Sequence, residues 1–241
     1  MTGLIVAGGT FALVLLGLAL SVGFTLAEGL GGIPLGTFDR LTSFCAPYSG
    51  AGLTLLGGSL LYGAVVFSVA KYSVVRYRVS WSALGFTRLP RATLGRTAAL
   101  FIPIALGGVL VVRVETALMG GPAANPQVAL LTRGVPALPT NFLMLFLLLV
   151  VIMPIAEEIF FRGFLYRLLR GHFSVWAAAP ISAAAFAVLH GVPTLFPWLF
   201  YMGLVYAVLA ERTGSLWAGI VVHALANSLV LAYVVVLLCG W

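Results

Sequence analysis

The sequence predicts an all-α fold: a polytopic membrane helix bundle of about seven transmembrane helices, with its N-terminus cytoplasmic. Three observations carry this. Of the 241 residues, 62% are hydrophobic and only 8% charged, whereas a soluble domain is about half apolar and about a quarter charged. Apolar runs near the ~20 residues that a spanning helix needs recur along the chain. The basic residues fall between these runs, mostly on alternate connections, as the positive-inside rule places them.

The first run, Leu4–Leu26, has no basic residue before it and is longer than a signal-peptide apolar region. It therefore reads as a membrane span and not as a cleaved leader. Leu53–Ala70, Leu94–Val112 and Asn141–Phe161 follow. Val175–Leu189 and Leu195–Leu209 are shorter and contain or adjoin Pro180, Pro193 and Pro197; Leu216–Leu238 closes the series. The longest polar connections, Ala27–Gly50, Lys71–Thr93 and Arg113–Thr140, are rich in Gly, Pro or charge. No internal repeat and no soluble domain is visible, so residues 1–241 read as a single membrane domain.

In a seven-span arrangement with the N-terminus inside, Lys71, Arg76, Arg78, Arg88, Arg91, Arg96, Arg162, Arg167, Arg170 and Arg212 lie on the cytoplasmic side. Arg40, Arg113 and Arg133 lie outside. That bias sets the orientation. It also accounts for the net charge of +7 without a nucleic-acid partner; the bilayer is the expected partner instead. Cys45 and Cys239 form no CxxC pair and have no metal-ligand spacing, so they read as small apolar residues.

Ionisable groups inside membrane helices usually face a bundle interior and mark function. Three clusters qualify: Glu157-Glu158 with Arg162, the stretch "FAVLH" ending at His190, and "HALAN" from His223 to Asn227. His172, beside Arg170, reads as a loop residue. Glu158 and Arg162 are i,i+4 on one helix face and can pair. Glu157 is turned about 100° away, free to point elsewhere. His223 and Asn227 are also i,i+4. If the fourth helix continues past its apolar run to about Arg170, Glu157 sits ~20 Å from that end. His190 sits ~22 Å along its own helix from Val175, and His223 and Asn227 ~12 and ~18 Å from Ser215. All four groups then fall at interior depth.

Taken singly, each has a bland explanation. Glu158–Arg162 reads as a structural ion pair, a lone histidine as an interhelical hydrogen-bonder, and Asn227 as packing glue. Taken together, a carboxylate, two histidines and an asparagine suit hydrolysis. A carboxylate desolvated by an apolar wall is a stronger base than one in water, and it can take a proton from water attacking a peptide carbonyl. Histidine and asparagine side chains supply donors for the oxyanion. Alternatively His190, His223 and Glu157 are a candidate ligand set for a divalent metal such as Zn²⁺, with an open position for water. There is no HExxH, no G-x-S-x-G and no Walker A pattern.

The ordered trio "EEIFFR", "FAVLH" and "HALAN" resembles the CPBP family, the CAAX-protease and bacteriocin-processing intramembrane proteases, whose pattern is EExxxR, FxxxH and HxxxN on successive core helices. The intervals Glu157–His190 and His190–His223 are equal in length, and "LGFTRLPR", Leu84–Arg91, resembles the cytoplasmic segment that precedes the core in that family. The resemblance covers residues 84–238, with a catalytic core at 140–231.

What it implies is an intramembrane endopeptidase acting on a membrane-associated protein or peptide in a prokaryotic plasma membrane. Glu157 would activate water, and His190 and His223 would act as acid, oxyanion donor or metal ligand. Asn227 would stabilise the oxyanion, with Glu158 and Arg162 as the supporting pair. Gly203, Ala207 and Ala210 would allow close packing on the sixth span. Two other classes compete: a non-enzymatic immunity or scaffold protein, and a small proton-coupled transporter. The absence of a repeat argues against the transporter.

Overall fold

The computed structural model describes residues 50–119 and 139–239. The expected first span, Leu4–Leu26, and Cys45 lie outside them. Every regular element among the described residues is helical. Helix α1 runs Gly50–Val69 and passes into a π-helical stretch, Ala70–Arg76. Helix α2 is Arg91–Met119. Helix α3 is one continuous rod from Pro139 to Arg170, in which π-helical stretches Leu147–Ile152 and Ile159–Tyr166 interrupt α-helix. Helix α4 is Val175–Leu189, and a 3₁₀ turn at Pro193–Leu195 leads into α5, Phe196–Thr213, and then α6, Leu216–Cys239.

Five of these helical stretches are long and apolar enough to cross a membrane: Gly57–Arg76, Arg91–Leu118, Phe142–Arg170, Pro193–Thr213 and Leu216–Leu237. Helix α4 is apolar but shorter. The chain is an integral membrane protein by this pattern.

The expected spans on described residues match these helices, with longer ends; α5 runs past Leu209 to take in Glu211 and Arg212. Lys71–Arg76, expected in a connection, is helical, and α2 runs past Val112 to take in Arg113 and Glu115. Helix α4 has the expected bounds, Val175–Leu189, with Pro180 inside it. The fourth span does continue to Arg170 as expected, though not as a uniform α-helix. His172 lies in the turn after α3 and is exposed.

Helices α4 and α5 make the tightest seam. A Cβ on Gly203 would lie 2.9 Å from Ala183 Cα, so only glycine lets the two backbones come this close. Ala178, Ala179, Ala207 and Ala210 are buried along the same seam. Lipid is as apolar as a leucine side chain, so close van der Waals packing of small residues replaces the hydrophobic drive that joins helices in water. Helix α2 by contrast exposes Ile102, Leu106 and Leu110 on its outer side.

The charged end of the bundle is stitched by backbone groups. The first N–H groups of a helix lack internal acceptors, and that of Leu216 donates to Gly85 O at 2.8 Å. Gly85 has φ +102°, a conformation open to glycine and strained for other residues. Ser215 Oγ donates to Thr87 O at 2.9 Å, and Thr87 Oγ1 to Gly214 O at 3.1 Å. Arg170 pairs with Glu211 at 3.0 Å in the same region. Arg162 does not belong to this charged end: it is fully buried.

Candidate active site

The site is built around the short α-helical piece of α3, Met153–Glu158, between its two π-helical stretches. A π-helical turn is wider than an α-turn and shifts the backbone hydrogen-bond pattern. Carbonyls from both stretches accept bonds from other helices. Leu149 O accepts from Asn227 Nδ2 at 2.7 Å, and Phe161 O accepts from the buried Ser182 Oγ at 3.2 Å. Both α6 and α4 are thereby fixed in register against the helix that carries the glutamates.

Glu158 and Arg162 pair at 3.0 Å with both side chains at 0% exposure. Arg162 Nη2 also donates to Gly203 O at 3.0 Å. Its guanidinium lies 4.7 Å from the Phe186 ring centroid and 5.0 Å from that of Tyr206. Burying such a pair is tolerable only where further hydrogen bonds and aromatic faces meet the charge. The spacing had suggested a self-contained supporting pair. The structure enlarges it, because His223 Nδ1 lies 3.4 Å from Glu158 Oε1.

His223 Nε2 lies 3.6 Å from Glu157 Oε2, so one imidazole faces both glutamates. A neutral imidazole has a single N–H and can donate to one of them at a time; the imidazolium can donate to both. The ring is fixed by stacking on Tyr206, centroids 4.6 Å apart and planes 18° from parallel. Phe186 meets it edge-on at 5.9 Å. Glu157 Oε1 accepts a hydrogen bond from Tyr62 OH at 2.8 Å. Glu157 Oε2 and Glu158 Oε2 are buried and accept no hydrogen bond among the described residues.

Glu157, Glu158, Arg162 and His223 thus converge directly. His190 joins through Phe186: it closes α4, its ring centroid lies 4.5 Å from that of Phe186, and its Nδ1 is 2.7 Å from Phe186 O. A carbonyl only accepts, so Nδ1 carries a proton there, and in a neutral ring Nε2 keeps the lone pair. Asn227 is one turn beyond His223, with one amide proton committed to Leu149 O. Its carbonyl oxygen and second amide proton have no partner among the described residues.

Free to point away from the face shared by Glu158 and Arg162, Glu157 makes its shortest bond to Tyr62, which lies outside the three motif clusters. Among the described residues no three His, Cys, Asp or Glu side chains form a group able to hold a metal ion. No step is derived through a metal.

Sequence reasoning passed over Tyr62, Ser182, Tyr206 and Gly219. The hydroxyls carried a usable signal, because a polar group at membrane depth needs a partner. Gly219 carried none: a Cβ there would lie 2.7 Å from Glu158 Oε2, which only the assembled bundle shows. Beside the site, an apolar cavity of about 450 Å³ lies between α2, α5 and α6. Phe101, Val109, Trp198, Leu229 and Ala226, the neighbour of Asn227, are among its lining residues.

Residues 139–229 match the family described as Type II CAAX prenyl endopeptidase Rce1-like. The match spans all three motifs and agrees with the resemblance they carry. An Escherichia coli protein described as "Uncharacterized 24.3 kDa protein" is 28% identical over 155 residues, covering 60% of this chain and 69% of that one. No solved structure gives a significant match.

Proposed function

We propose that this protein is an intramembrane endopeptidase that hydrolyses a peptide bond in a membrane-associated protein or peptide, with Glu157 as the general base. The observation that carries it is the asymmetric setting of one buried carboxylate: Oε1 is bonded to Tyr62, while Oε2 accepts no hydrogen bond among the described residues and faces His223 Nε2. A base needs a lone pair within reach of the proton it abstracts, and Oε2 keeps one.

In this mechanism Glu157 takes a proton from water as the oxygen attacks the scissile carbonyl. The oxyanion is met by donors from His223 and Asn227, with the hydrogen bonds tightening as charge develops, while His190, its Nδ1 proton held by Phe186 O, lines the site with Nε2 as an acceptor. The proton held by Glu157 then passes to the leaving amine, so that proton transfer balances over the cycle. Arg162 and Glu158 do not enter the reaction. Through Glu158 Oε1 they hold the imidazole of His223 in position. The apolar cavity beside Asn227 suits an apolar stretch of substrate.

With the run Leu4–Leu26 included, the chain threads a prokaryotic plasma membrane seven times with its N-terminus cytoplasmic, and the site opens from the cytoplasmic side. Thiol labelling of single introduced cysteines from each side of the membrane reads this orientation; an N-terminal cysteine labelled only from outside sinks it.

The central test compares peptides released from membranes containing wild-type protein or Glu157→Gln, mapped by mass spectrometry. Products present with wild type and lost in the variant are expected, with the variant still folded. Equal products from both would remove Glu157 as base, and function surviving loss of Glu157, His190 and Asn227 together would favour a scaffold or immunity role. Chelator added to the same assay addresses metal dependence: retained cleavage fits the carboxylate mechanism, while loss restored by Zn²⁺ replaces it with a metal-dependent one.

A further inference from the structure

Resting on the reading of Glu157 as the base, we propose that Tyr62 on α1 is a positioning residue for the reaction. It fixes which carboxylate oxygen of Glu157 does the chemistry. Tyr62 stands outside the segment 139–229 and on a helix that carries none of the motif residues.

The contact is built into the packing of α1. Gly58, Tyr62, Val65, Val66 and Val69 recur at helical spacing along α1. Val69 belongs to the central core with Phe160, Phe161 and Phe186, and Val65 and Val66 are partly buried against it. One turn before Tyr62, Gly58 lets α3 approach: a Cβ there would lie 2.6 Å from Leu148 Cδ1. The phenol is thus carried to within 2.8 Å of Glu157 Oε1 by a helix seated closely on α3.

The phenol has one proton, and a carboxylate that accepts it loses rotational freedom. With Oε1 engaged, the carboxylate plane is set and Oε2 points to the side occupied by His223 Nε2, 3.6 Å away. The immediate neighbours of the glutamates along α3, Ala156 and Ile159, have apolar side chains that can offer no such bond. Without Tyr62 the carboxylate can turn, and either oxygen can face the reacting atoms. Misplacing a catalytic group by ~1 Å is enough to cost about 10²-fold in rate.

The test is Tyr62→Phe, which keeps the ring and removes only the hydroxyl. Infrared difference spectra of wild type against Glu157→Gln isolate the Glu157 carboxyl band. In Tyr62→Phe that band is expected to shift, and kcat to fall about 10- to 100-fold with KM within about twofold and thermal unfolding near wild type. In a Glu157→Gln background, adding Tyr62→Phe is expected to lower residual turnover no further. An unshifted band, an unchanged kcat, or a loss confined to KM each overturns the assignment.

If Tyr62→Phe unfolds, Tyr62→Trp or 3-fluorotyrosine at position 62 keeps the question open to measurement. A fluorotyrosine band shift without a kcat change is equally fatal to it. The two ideas fail separately: full cleavage by Glu157→Gln removes the base, whereas an unshifted band beside an inactive Glu157→Gln removes only Tyr62.

Discussion

Replacing Arg162 by methionine keeps an unbranched stem but removes a buried charge that Glu158, Gly203 O and two aromatic faces meet, its Nε alone having no partner among the described residues. Arg162 is 0% exposed, 3.0 Å from Glu158 Oε1 and 3.0 Å from Gly203 O, with the Phe186 ring centroid at 4.7 Å. The variant leaves Glu158, also 0% exposed, buried without its counter-charge, and leaves Gly203 O without its side-chain donor. Breaking a buried pair from one side costs about 3–5 kcal/mol, because the desolvation of the remaining ion is no longer offset. At 1.36 kcal/mol per decade, that is roughly 2.2 to 3.7 powers of ten in the folding equilibrium.

The second variant, Glu158→Gln in the Arg162→Met background, removes the stranded charge. A buried pair replaced from both sides is often neutral, so the double variant is expected to recover at least about 2 kcal/mol of the loss. The assay is reversible unfolding by SDS in mixed micelles, followed by far-ultraviolet circular dichroism. A cost for Arg162→Met below about 1 kcal/mol, or a double variant no more stable than the single, would refute the reasoning, since either result means that the charge is solvated.

Two further outcomes follow from the geometry. In Gly219→Ala the new methyl would lie 2.7 Å from Glu158 Oε2, so the carboxylate must move; overpacking of this kind costs about 1–3 kcal/mol. Because Glu158 Oε1 also holds His223, turnover is expected to fall with stability, read by the same unfolding assay and by peptide release. Ser182→Ala and Asn227→Ala each strip the side-chain donor from one carbonyl in a π-helical stretch, Phe161 O and Leu149 O. Each is expected to cost about 1–3 kcal/mol of stability, but only Asn227→Ala should lose a further ~10²–10³-fold in kcat. Equal effects on kcat would deny Asn227 a role in the chemistry.

The sequence carried the helices well where punctuation was strong. Helix α4 is framed by Gly171-His172-Phe173-Ser174 and by His190-Gly191, and its bounds agree with the expectation. Glutamates and histidines stand out against lipid-soluble neighbours, so the convergence of Glu157 with His223 was within reach. The roles were harder. Two carboxylates a residue apart had suggested one structural and one chemical group, yet His223 faces both.

Apart from the Tyr62 hydroxyl itself, nothing in the apolar pattern marked the partner helix of Glu157. In water an apolar stripe marks which face of a helix is buried. In lipid both faces are apolar, and α1 gives no stripe that would single out Tyr62. Its exposed Leu60, Leu61 and Phe67 are as apolar as its packed Val65, Val66 and Val69.

The π-helical stretches of α3 explain why the site needs residues from so many helices. Within hydrocarbon a backbone carbonyl freed from its own helix has no water to turn to, and leaving it unmet costs several kcal/mol. Where the chain widens at Leu147–Ile152 and again at Ile159–Tyr166, Leu149 O and Phe161 O have lone pairs open to donors from other helices, and Asn227 and Ser182 supply them. The widening is what separates the short α-helical piece bearing Glu157 and Glu158 from an ordinary spanning rod. The donors that stabilise it also fix α6 and α4 against that piece. Asn227 consequently has a structural duty that precedes any duty to an oxyanion. That is why loss of activity on changing Asn227 carries information about the reaction only when set beside Ser182, which meets the same backbone need on another helix.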